Sequence, residues 1–251
     1  MYPGTGSLKV GIAQIPVRMG DKKANLATVL EYAEEAARER CDVVVFPECC
    51  GAGWCSPGAR SAAETIPGPL TGTLGRLARH HGMAVVIGME EREGDLIFNS
   101  AVLIGRRGEI RLRHRKINEL DVGLRYYARG RSLAVDDFEG RPLGLVICAD
   151  SWVPSIVDAL HLMGARLILS PCAWAVRPGG EARNIAKIRR WYAARTGGKD
   201  LVIVSANGVG RVTQGPWRGK VLQGDSLVTG PGGRALLQGP RNRAGLLTAV
   251  M

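Results

Sequence analysis

Residues 143–152 read LGLVICADSW, a run of apolar strand-forming residues that leads directly into Cys148 and Asp150. A fully apolar strand is typical of a sheet that is covered on both of its faces. A second strand of this kind, DVVVFPE at residues 42–48, ends on Glu48 in the same way. Because loops beyond the carboxyl ends of strands form the usual binding crevice of α/β sheets, the two stretches predict an α/β fold that presents a thiol and a carboxyl group there.

The rest of the chain alternates between strand and helix patterns, with no internal repeat and no low-complexity linker. Such alternation predicts a single domain over residues 1–251, with mixed sheets inside and helices outside. Asp21 is the expected N-cap of the first helix, and Gly82 is the expected end of the second. Besides the two stretches above, the predicted strands are 9–15, 84–89, 100–105, 109–116, 166–170, 201–207, 226–230, 234–239 and 244–250, and the predicted helices are 22–40, 70–82, 155–163 and 181–195.

The composition, with 45% hydrophobic and 23% charged residues, is that of an ordinary globular protein. No apolar run reaches the ~20 residues that span a bilayer, and the amino terminus lacks the pattern of a signal peptide. We therefore expect a cytoplasmic protein without a membrane segment. The six cysteines have neither a secretory context nor zinc-ligand spacing, so that no disulfide framework, no metal and no cofactor are expected.

The net charge of +11 comes from 34 basic and 23 acidic residues. A surplus of this kind occurs in proteins that bind nucleic acid or acidic partners. The alternative is a solvated surface with an arginine-rich composition. The basic residues are dispersed along the chain and no nucleic-acid-binding signature accompanies them, which favours the solvated surface over a nucleic-acid partner.

A third predicted strand, residues 109–116, ends on Lys116, and this lysine complements the thiol and the carboxyl group. The thiol of an ordinary cysteine is mostly protonated at neutral pH, so that a nucleophilic Cys148 needs a base or a positive field. A partly buried Glu48 can accept the proton, and Lys116 can stabilise the thiolate and later an oxyanion. Taken singly, the three residues have simpler interpretations, namely a core thiol, a solvated loop acid and a charge at a strand end. Spacing along the chain leaves these alternatives open.

Eight sequence elements resemble those of the nitrilase (carbon–nitrogen hydrolase) superfamily, and together they extend over nearly the whole chain. Any one element is unspecific, whereas all eight in the right order are specific. The matching positions are Ala13-Gln14; Gly20-Asp21 with Asn25; Phe46-Pro47-Glu48 with Gly53-Trp54; Arg115-Lys116-Ile117; Gly144, Ile147, Cys148, Asp150 and Pro154; Gly164-Ala165 with Pro171; Ala206-Asn207 with Gly210; and Gly224, Ser226, Pro231 and Gly233.

The resemblance implies a four-layer α-β-β-α sandwich of the nitrilase type, commonly paired into a homodimer or a higher homo-oligomer. It also implies a catalytic triad of Glu48, Lys116 and Cys148. In such a triad Cys148 attacks the carbonyl carbon, Glu48 acts first as base and then as acid, and Lys116 holds the oxyanion together with the amide of Ala149. Water activated by Glu48 then hydrolyses the thioester.

The chain departs from the resemblance at Gly123. Many relatives carry a second glutamate at this position, three residues before an aromatic pair, which is Tyr126-Tyr127 here. Glu119 and Asp121, which belong to the same loop, are the two candidates to replace it. The departure concerns the tuning of Lys116 or Glu48.

The segment that follows the nucleophile bears on the substrate. The pattern C-x-D-x-W-x-P of residues 148–154 resembles that of N-carbamoylputrescine amidases and of the glutaminase domains of NAD synthetases, more than that of nitrilases. The resemblance therefore favours a small-molecule amide or ureido substrate over a nitrile. Trp54, Trp152 and Trp174 follow strands and are candidates for the wall of an apolar pocket. Packing at the edge of the core is an equally simple interpretation of these large aromatic residues.

The main prediction is a hydrolase of an amide or N-carbamoyl group that works through a thioester at Cys148. Transfer of the acyl group to an amine, or of ammonia to a partner enzyme, is a second hypothesis. A catalytically silent relative that binds a ligand is a third, and Gly123 is the only residue that supports it. Nucleic-acid binding through arginine is a fourth, which predicts a steep dependence of DNA retention on salt.

Overall fold

The computed structural model describes residues 6–251, and its first six-stranded sheet comes mainly from the amino-terminal half of this range. Its strands are β1 (Lys9–Gln14), β2 (Val43–Val45), β3 (Ala84–Glu93), β4 (Leu96–Ile104), β5 (Ile110–Arg115) and β15 (Gly245–Val250). Their spatial order is β15-β1-β2-β3-β4-β5. β1, β2 and β3 run parallel, whereas β3, β4 and β5 form an antiparallel meander.

The second six-stranded sheet comes from the carboxyl-terminal half, and a small third sheet borders it. The strands of the second sheet are β6 (Val135–Phe138), β7 (Arg141–Leu145), β8 (Leu167–Cys172), β10 (Val202–Asn207), β13 (Leu227–Thr229) and β14 (Ala235–Gln238), and those of the third are β9 (Ala175–Val176), β11 (Val209–Arg211) and β12 (Val221–Gln223). The orders are β14-β13-β10-β8-β7-β6 and β11-β12-β9. β7, β8 and β10 run parallel, as β1 to β3 do in the first sheet.

Helices cover the outer face of each large sheet. The α-helices of the described range are α1 (Lys22–Arg38), α2 (Ala59–Ala62), α3 (Pro69–His81), α4 (Pro154–Leu162) and α5 (Glu181–Thr196). α1 and α3 contact the first sheet, and α4 and α5 pack on the second. Both predicted helix ends are confirmed, because Asp21 accepts the N–H of Ala24 at 3.0 Å and Gly82 ends α3 with a left-handed φ of 60°. Among these helices, none combines the length and the apolar character that a membrane crossing requires.

The two large sheets pack face to face, which completes the four layers α-β-β-α. Val43 and Val45 of β2 belong to the core between the sheets, together with Leu169 of β8, whereas Val44 belongs to the core beneath α1 and α3. Because successive side chains of a strand point to opposite faces, a strand with a core on each face is apolar throughout. The expected fold class is therefore confirmed, and the unbroken apolar run of residues 43–46 has its physical reason.

Several short elements of the described range had no predicted counterpart, namely β6, β9, β11, β12 and α2. Each contains only two to four residues, which is too few for a hydrophobic period to show. The predicted strand at residues 143–147 also ends earlier than expected, since β7 stops at Leu145. Val146 still donates its N–H to Leu169 of β8 at 3.2 Å, and Ile147 then connects to Cys148.

Candidate active site

Glu48 leaves β2 through Pro47 and is only 1% exposed. Its backbone N–H donates to the carbonyl oxygen of Cys172 at 3.2 Å, which fixes this loop of the first sheet to the second sheet. Its Oε1 accepts hydrogen bonds from Lys116 Nζ and from Asn99 Nδ2, each at 2.7 Å. Its Oε2 is buried and has no hydrogen-bond partner among the described residues. One oxygen of the carboxylate is therefore held in place, and the other is left to accept a proton.

Lys116 follows β5 directly, and its side chain is 2% exposed. The ammonium nitrogen lies 2.7 Å from Glu48 and 3.3 Å from Glu119. Burial by itself lowers the pKa of a lysine, but the carboxylates of Glu48 and Glu119 raise the pKa of Lys116 well above its ordinary value. Lys116 is therefore positively charged at neutral pH.

Cys148 opens the 3₁₀ helix Cys148–Trp152, and it is buried. Its φ of 46° is a left-handed value that few residues other than glycine adopt, and such outliers cluster at functional sites. The neighbouring Cys172 thiol, burial and the Glu48 carboxylate raise the pKa of the Cys148 thiol well above its ordinary value, although Lys116 opposes them. The thiol at rest is therefore protonated, and it becomes nucleophilic when a base takes its proton.

Asp150 joins the end of β5 to the end of β7, and it is fully buried. Its carboxylate accepts the backbone N–H groups of Asn118 at 2.7 Å, Ile117 at 3.1 Å and Ile147 at 3.0 Å. It also contacts His114 Nε2 at 2.8 Å. Burial by itself raises the pKa of such an acid, but these hydrogen bonds lower the pKa of Asp150 below its ordinary value. One carboxylate thus fixes the segment of Lys116 against the segment of Cys148.

The peptide of Ala149 belongs to the same connection. Its carbonyl oxygen accepts a hydrogen bond from Asn118 Nδ2 at 2.8 Å. Its N–H lies in the first turn of the 3₁₀ helix, where backbone donors have no partner within the helix. The amide of Ala149 is therefore oriented by a neighbour and retains the capacity to donate.

A cavity of about 40 Å³ brings the three predicted catalytic residues together. The predicted tryptophans Trp54, Trp152 and Trp174 all lie in its wall. Trp54 also packs on Trp217, with 4.3 Å between the ring centroids. The lining residues are Glu48, Trp54, Lys116, Leu120, Cys148, Trp152, Ala173, Trp174, Ala175, Asn184 and Trp217.

Glu119 supplies a second buried carboxylate beside Lys116, and its side chain is completely buried. Its Oε1 accepts the indole N–H of Trp54 at 3.2 Å, and its Oε2 accepts Asn99 Nδ2 at 3.2 Å. Burial raises the pKa of Glu119, while the Lys116 cation opposes that effect. A side chain at position 123 would overlap the Glu119 carboxylate, so that the space beside Gly123 is already filled.

Asp121, the other candidate for this place, is exposed to solvent and does not line the cavity. The interpretation of Asp121 as a site residue is therefore wrong. The reason is physical, because a carboxylate without a cation beside it is better hydrated at the surface. Glu119 has the cation, since it lies three residues after Lys116 in sequence and 3.3 Å from its ammonium nitrogen.

Further residues of the site had no predicted role. Asn99 had a signal, since it is one of only two polar residues in the strand β4, and it holds both Glu48 and Glu119. Asp150 stood beside the thiol in sequence, but its function as a clamp depends on contacts between strands that are far apart along the chain. The other lining residues that lacked a sequence signal are Leu120, Ala173, Ala175, Asn184 and Trp217.

Comparison with known proteins agrees with this geometry. The profile of the carbon-nitrogen hydrolase family matches residues 9–251. A hydrolase of Mycobacterium tuberculosis (strain ATCC 25618 / H37Rv) is 31% identical over 237 residues, which are 90% of this chain and 80% of that protein. An (R)-stereoselective amidase of Pseudomonas sp is 29% identical over 237 residues, which are 94% of this chain and 82% of that protein.

The solved structures give the same result for the fold. The crystal structure of an amidase from Nesterenkonia sp. matches with a TM-score of 0.81 and 25% identity, over 97% of this chain and 90% of that chain. The family match includes every strand and helix from β1 to β15. This chain therefore belongs to the carbon-nitrogen hydrolase family and is a thiol-dependent hydrolase of carbon–nitrogen bonds other than peptide bonds.

Proposed function

We propose that this enzyme hydrolyses a small-molecule carboxylic amide through a thioester at Cys148. The observation that carries the proposal is the state of Glu48. One of its oxygens is bound to Lys116 at 2.7 Å, and the other is buried without a partner among the described residues. A carboxylate in that state is suited to receive a proton from the thiol that lines the same cavity.

In the first half of the reaction, Glu48 takes the thiol proton of Cys148, and the sulfur attacks the carbonyl carbon of the amide. The carbonyl oxygen becomes an oxyanion, which the Lys116 ammonium and the N–H of Ala149 stabilise. The tetrahedral adduct then collapses, and the carbon–nitrogen bond breaks. The leaving nitrogen takes the proton from Glu48 and departs as ammonia or an amine.

In the second half, water replaces the departed amine. Glu48, again a carboxylate, takes a proton from this water, whose oxygen attacks the thioester carbon. Lys116 and Ala149 hold the new oxyanion as before. Its collapse breaks the carbon–sulfur bond, the acid leaves, and Cys148 regains its proton from Glu48.

Glu119 acts on this chemistry through Lys116. With two carboxylates beside one ammonium group, Lys116 is held in one orientation and stays charged, as an oxyanion ligand must be. The hydrogen bond from Trp54 to Glu119 also fixes one wall of the cavity. We therefore assign Glu119 as a positioning residue and Trp54, Trp152 and Trp174 as contacts of the acyl group.

The substrate is small at the reacting end. One water molecule needs about 10–15 Å³ of cavity volume, so the cavity of about 40 Å³ holds about three waters. Among the described residues, its only charged lining residues, Glu48 and Lys116, neutralise each other, and most of the remaining wall is tryptophan, leucine and alanine. A charged group inside the cavity would lose its hydration without a partner, so that the acyl carbons next to the scissile bond are uncharged.

The enzyme is also proposed to act as a homodimer in the cytoplasm. At the end of α4, Leu162 is 85% exposed and Met163 is 50% exposed, next to the helical layer formed with α5. Pairing of two such layers would remove these side chains from water. The six cysteines are all free, as is typical of a reducing compartment. Light scattering coupled to gel filtration tests the dimer, and a Leu162→Glu variant is expected to yield monomers.

Mass spectrometry of the intact protein tests the proposed chemistry. The enzyme is mixed with a panel of small amides, N-carbamoyl compounds and nitriles, and the acyl adduct is mapped after rapid acid quenching. We expect an adduct on Cys148 with amides, and none in Cys148→Ser, which should fold normally. Cys41→Ser, which changes a buried thiol outside the cavity, is the control. Modification of Cys49 or Cys55 in place of Cys148 would overturn the assignment.

Product analysis in the presence of hydroxylamine separates hydrolysis from acyl transfer. A hydrolase releases the free acid and ammonia from an amide when no amine is added. An enzyme that requires an amine acceptor releases ammonia only with hydroxylamine present, and the product is then the hydroxamate. We expect turnover without the added amine.

A further inference from the structure

Three buried hydroxyl groups form a chain that reaches the backbone of Cys148. Ser151 belongs to the 3₁₀ helix that Cys148 opens, Tyr192 belongs to α5 and Ser205 to β10, and all three are fully buried. Ser151 Oγ lies 2.6 Å from the carbonyl oxygen of Cys148 and 2.8 Å from Tyr192 Oη. Tyr192 Oη in turn lies 2.9 Å from Ser205 Oγ. The chain therefore links the backbone of the nucleophile to the second sheet and to the helix that covers it.

The direction of the three hydrogen bonds follows from the number of protons. A carbonyl oxygen only accepts and a hydroxyl group carries a single proton, so that Ser151 donates its proton to Cys148. Ser151 must then accept from Tyr192, and Tyr192 must accept from Ser205. Burial raises the pKa of Tyr192 well above its ordinary value, so that its hydroxyl group keeps the proton that it donates. Every donation in the chain thus runs toward the carbonyl oxygen of Cys148.

This carbonyl oxygen belongs to the same peptide group as the N–H of Ala149. A trans peptide group is planar, and its carbonyl and its N–H point in opposite directions, so that a contact that fixes one of them fixes the other. Hydrogen bonds in a chain also polarise one another, which makes the N–H of Ala149 a stronger donor. The left-handed φ of 46° at Cys148 needs such support, because a backbone of this kind persists only where the surrounding contacts hold it.

We propose that Ser151 and Tyr192 are positioning residues that orient and strengthen the N–H of Ala149 as a donor to the oxyanion. This inference rests on the proposed thioester mechanism, in which Ala149 and Lys116 stabilise that oxyanion. The chain acts on the charge that develops on the carbonyl oxygen of the substrate. It acts neither on the attack by sulfur nor on the binding of the uncleaved amide. Its loss should therefore lower kcat and leave KM nearly unchanged.

Steady-state hydrolysis of propionamide by two variants tests the inference. Ser151→Ala removes the donor to Cys148, whereas Tyr192→Phe removes only a hydroxyl group and keeps the ring that packs on Trp174. Loss of a complete oxyanion donor costs about 10²–10³ in kcat, and a weakened donor costs less. We expect kcat to fall about tenfold in Ser151→Ala and about threefold in Tyr192→Phe. Because Tyr192 acts through Ser151, the double variant should have the kcat of Ser151→Ala alone.

Methylation of Cys148 by iodomethane separates this role from a merely structural one. In this reaction the sulfur displaces iodide, the thiol proton passes to Glu48, and no oxyanion forms. The rate, followed by mass spectrometry of the intact protein, should stay within about twofold of that of the unaltered enzyme in both variants. A displaced nucleophile would instead slow methylation as much as hydrolysis. Tyr192→Phe alone carries the comparison if Ser151→Ala does not fold.

Tyr32→Phe is the matched control, because it removes the hydroxyl group of a half-buried tyrosine on α1, outside the cavity. This variant should keep the kcat of the unaltered enzyme. An unchanged kcat in Ser151→Ala and Tyr192→Phe, equal losses of hydrolysis and methylation, or multiplied losses in the double variant would overturn the inference. In these cases the unaltered enzyme still hydrolyses the amide, so that this inference alone fails. If no amide reacts and Cys148 stays unmodified, the proposed function fails as well.

Discussion

The carboxylate of Asp150 accepts the backbone N–H of Asn118 at 2.7 Å, and through this contact the strand end of Cys148 is tied to that of Lys116. Cys148 follows β7 of the second sheet, whereas Lys116 follows β5 of the first sheet. The relative position of sulfur and ammonium therefore depends on a buried carboxylate that takes no part in bond breaking. Changes at Asp150 should therefore alter both the stability of the fold and the rate of catalysis.

Replacement of Asp150 should lower both stability and activity. Asp150→Ala leaves several buried N–H donors without an acceptor, and it should reduce the free energy of unfolding by about 3–5 kcal/mol. Asp150→Asn retains one acceptor and should lose less stability, yet kcat should still fall because the Lys116 segment is less firmly held. Urea unfolding and steady-state kinetics are the measurements. The control is Asp158→Ala, a half-exposed carboxylate on α4, for which a change of about 0.5 kcal/mol or less is expected.

Glu48→Gln should preserve the fold and remove the base. The amide has nearly the shape of the carboxylate but accepts no proton, so that kcat should fall by about 10²-fold or more. The rate of Cys148 alkylation by iodoacetamide should fall as well, because the thiol then lacks its proton acceptor. Glu139→Gln, a change at a half-exposed carboxylate outside the cavity, is the matched control. Unchanged alkylation together with nearly full turnover would contradict the assigned role of Glu48.

Glu90 makes the stability of the protein depend on pH. Burial raises the pKa of Glu90 from 4.5 to about 7, although the N–H groups of Gly51 and Ala52 and the charge of Lys22 oppose that rise. Because the folded state binds this proton more tightly than the unfolded state, the stabilising contribution is fully present below pH 4.5 and is lost as the pH rises through about 7. The loss between pH 5 and pH 8 amounts to roughly 2 kcal/mol.

Urea unfolding of Glu90→Gln at several pH values tests this expectation. The variant should lack this part of the pH dependence, since glutamine does not titrate. Equal slopes of unfolding free energy against pH in both proteins would show that Glu90 does not titrate in this range. Glu93→Gln, which changes a solvent-exposed carboxylate on the same strand, serves for comparison.

The effects of substitutions at Glu119 and at Gly123 should depend on each other. Glu119→Ala removes one of the two carboxylates that orient Lys116, and kcat/KM should fall roughly tenfold or more, up to a hundredfold. Gly123→Glu alone should disturb the fold, because a side chain there overlaps the Glu119 carboxylate. In the double variant the new glutamate has room, and part of the lost activity should return. An additive loss in the double variant would mean that position 123 cannot supply this carboxylate.

Sequence reasoning succeeded where a pattern is local or repeats over many residues. The apolar run of residues 43–46, the cap at Asp21 and the end at Gly82 each depend on neighbours along the chain, and the structure has all three. The order of eight elements along the chain likewise indicated the family, which the match over residues 9–251 confirms. Short strands such as β9 and β12 escaped prediction because two or three residues carry no period.

The amino-acid sequence by itself determined that this chain folds as alternating strands and helices and carries a thiol, a carboxyl group and an amine at strand ends. It left open whether Glu119 or Asp121 stands beside Lys116, and only the tertiary structure decided for Glu119. The physical reason is that burial of a carboxylate is tolerable only next to a cation and hydrogen-bond donors, and these come from distant parts of the chain. The pairing of Ala175 with Leu222 was equally absent from the linear order, because a strand register that joins residues 47 positions apart exists only after folding.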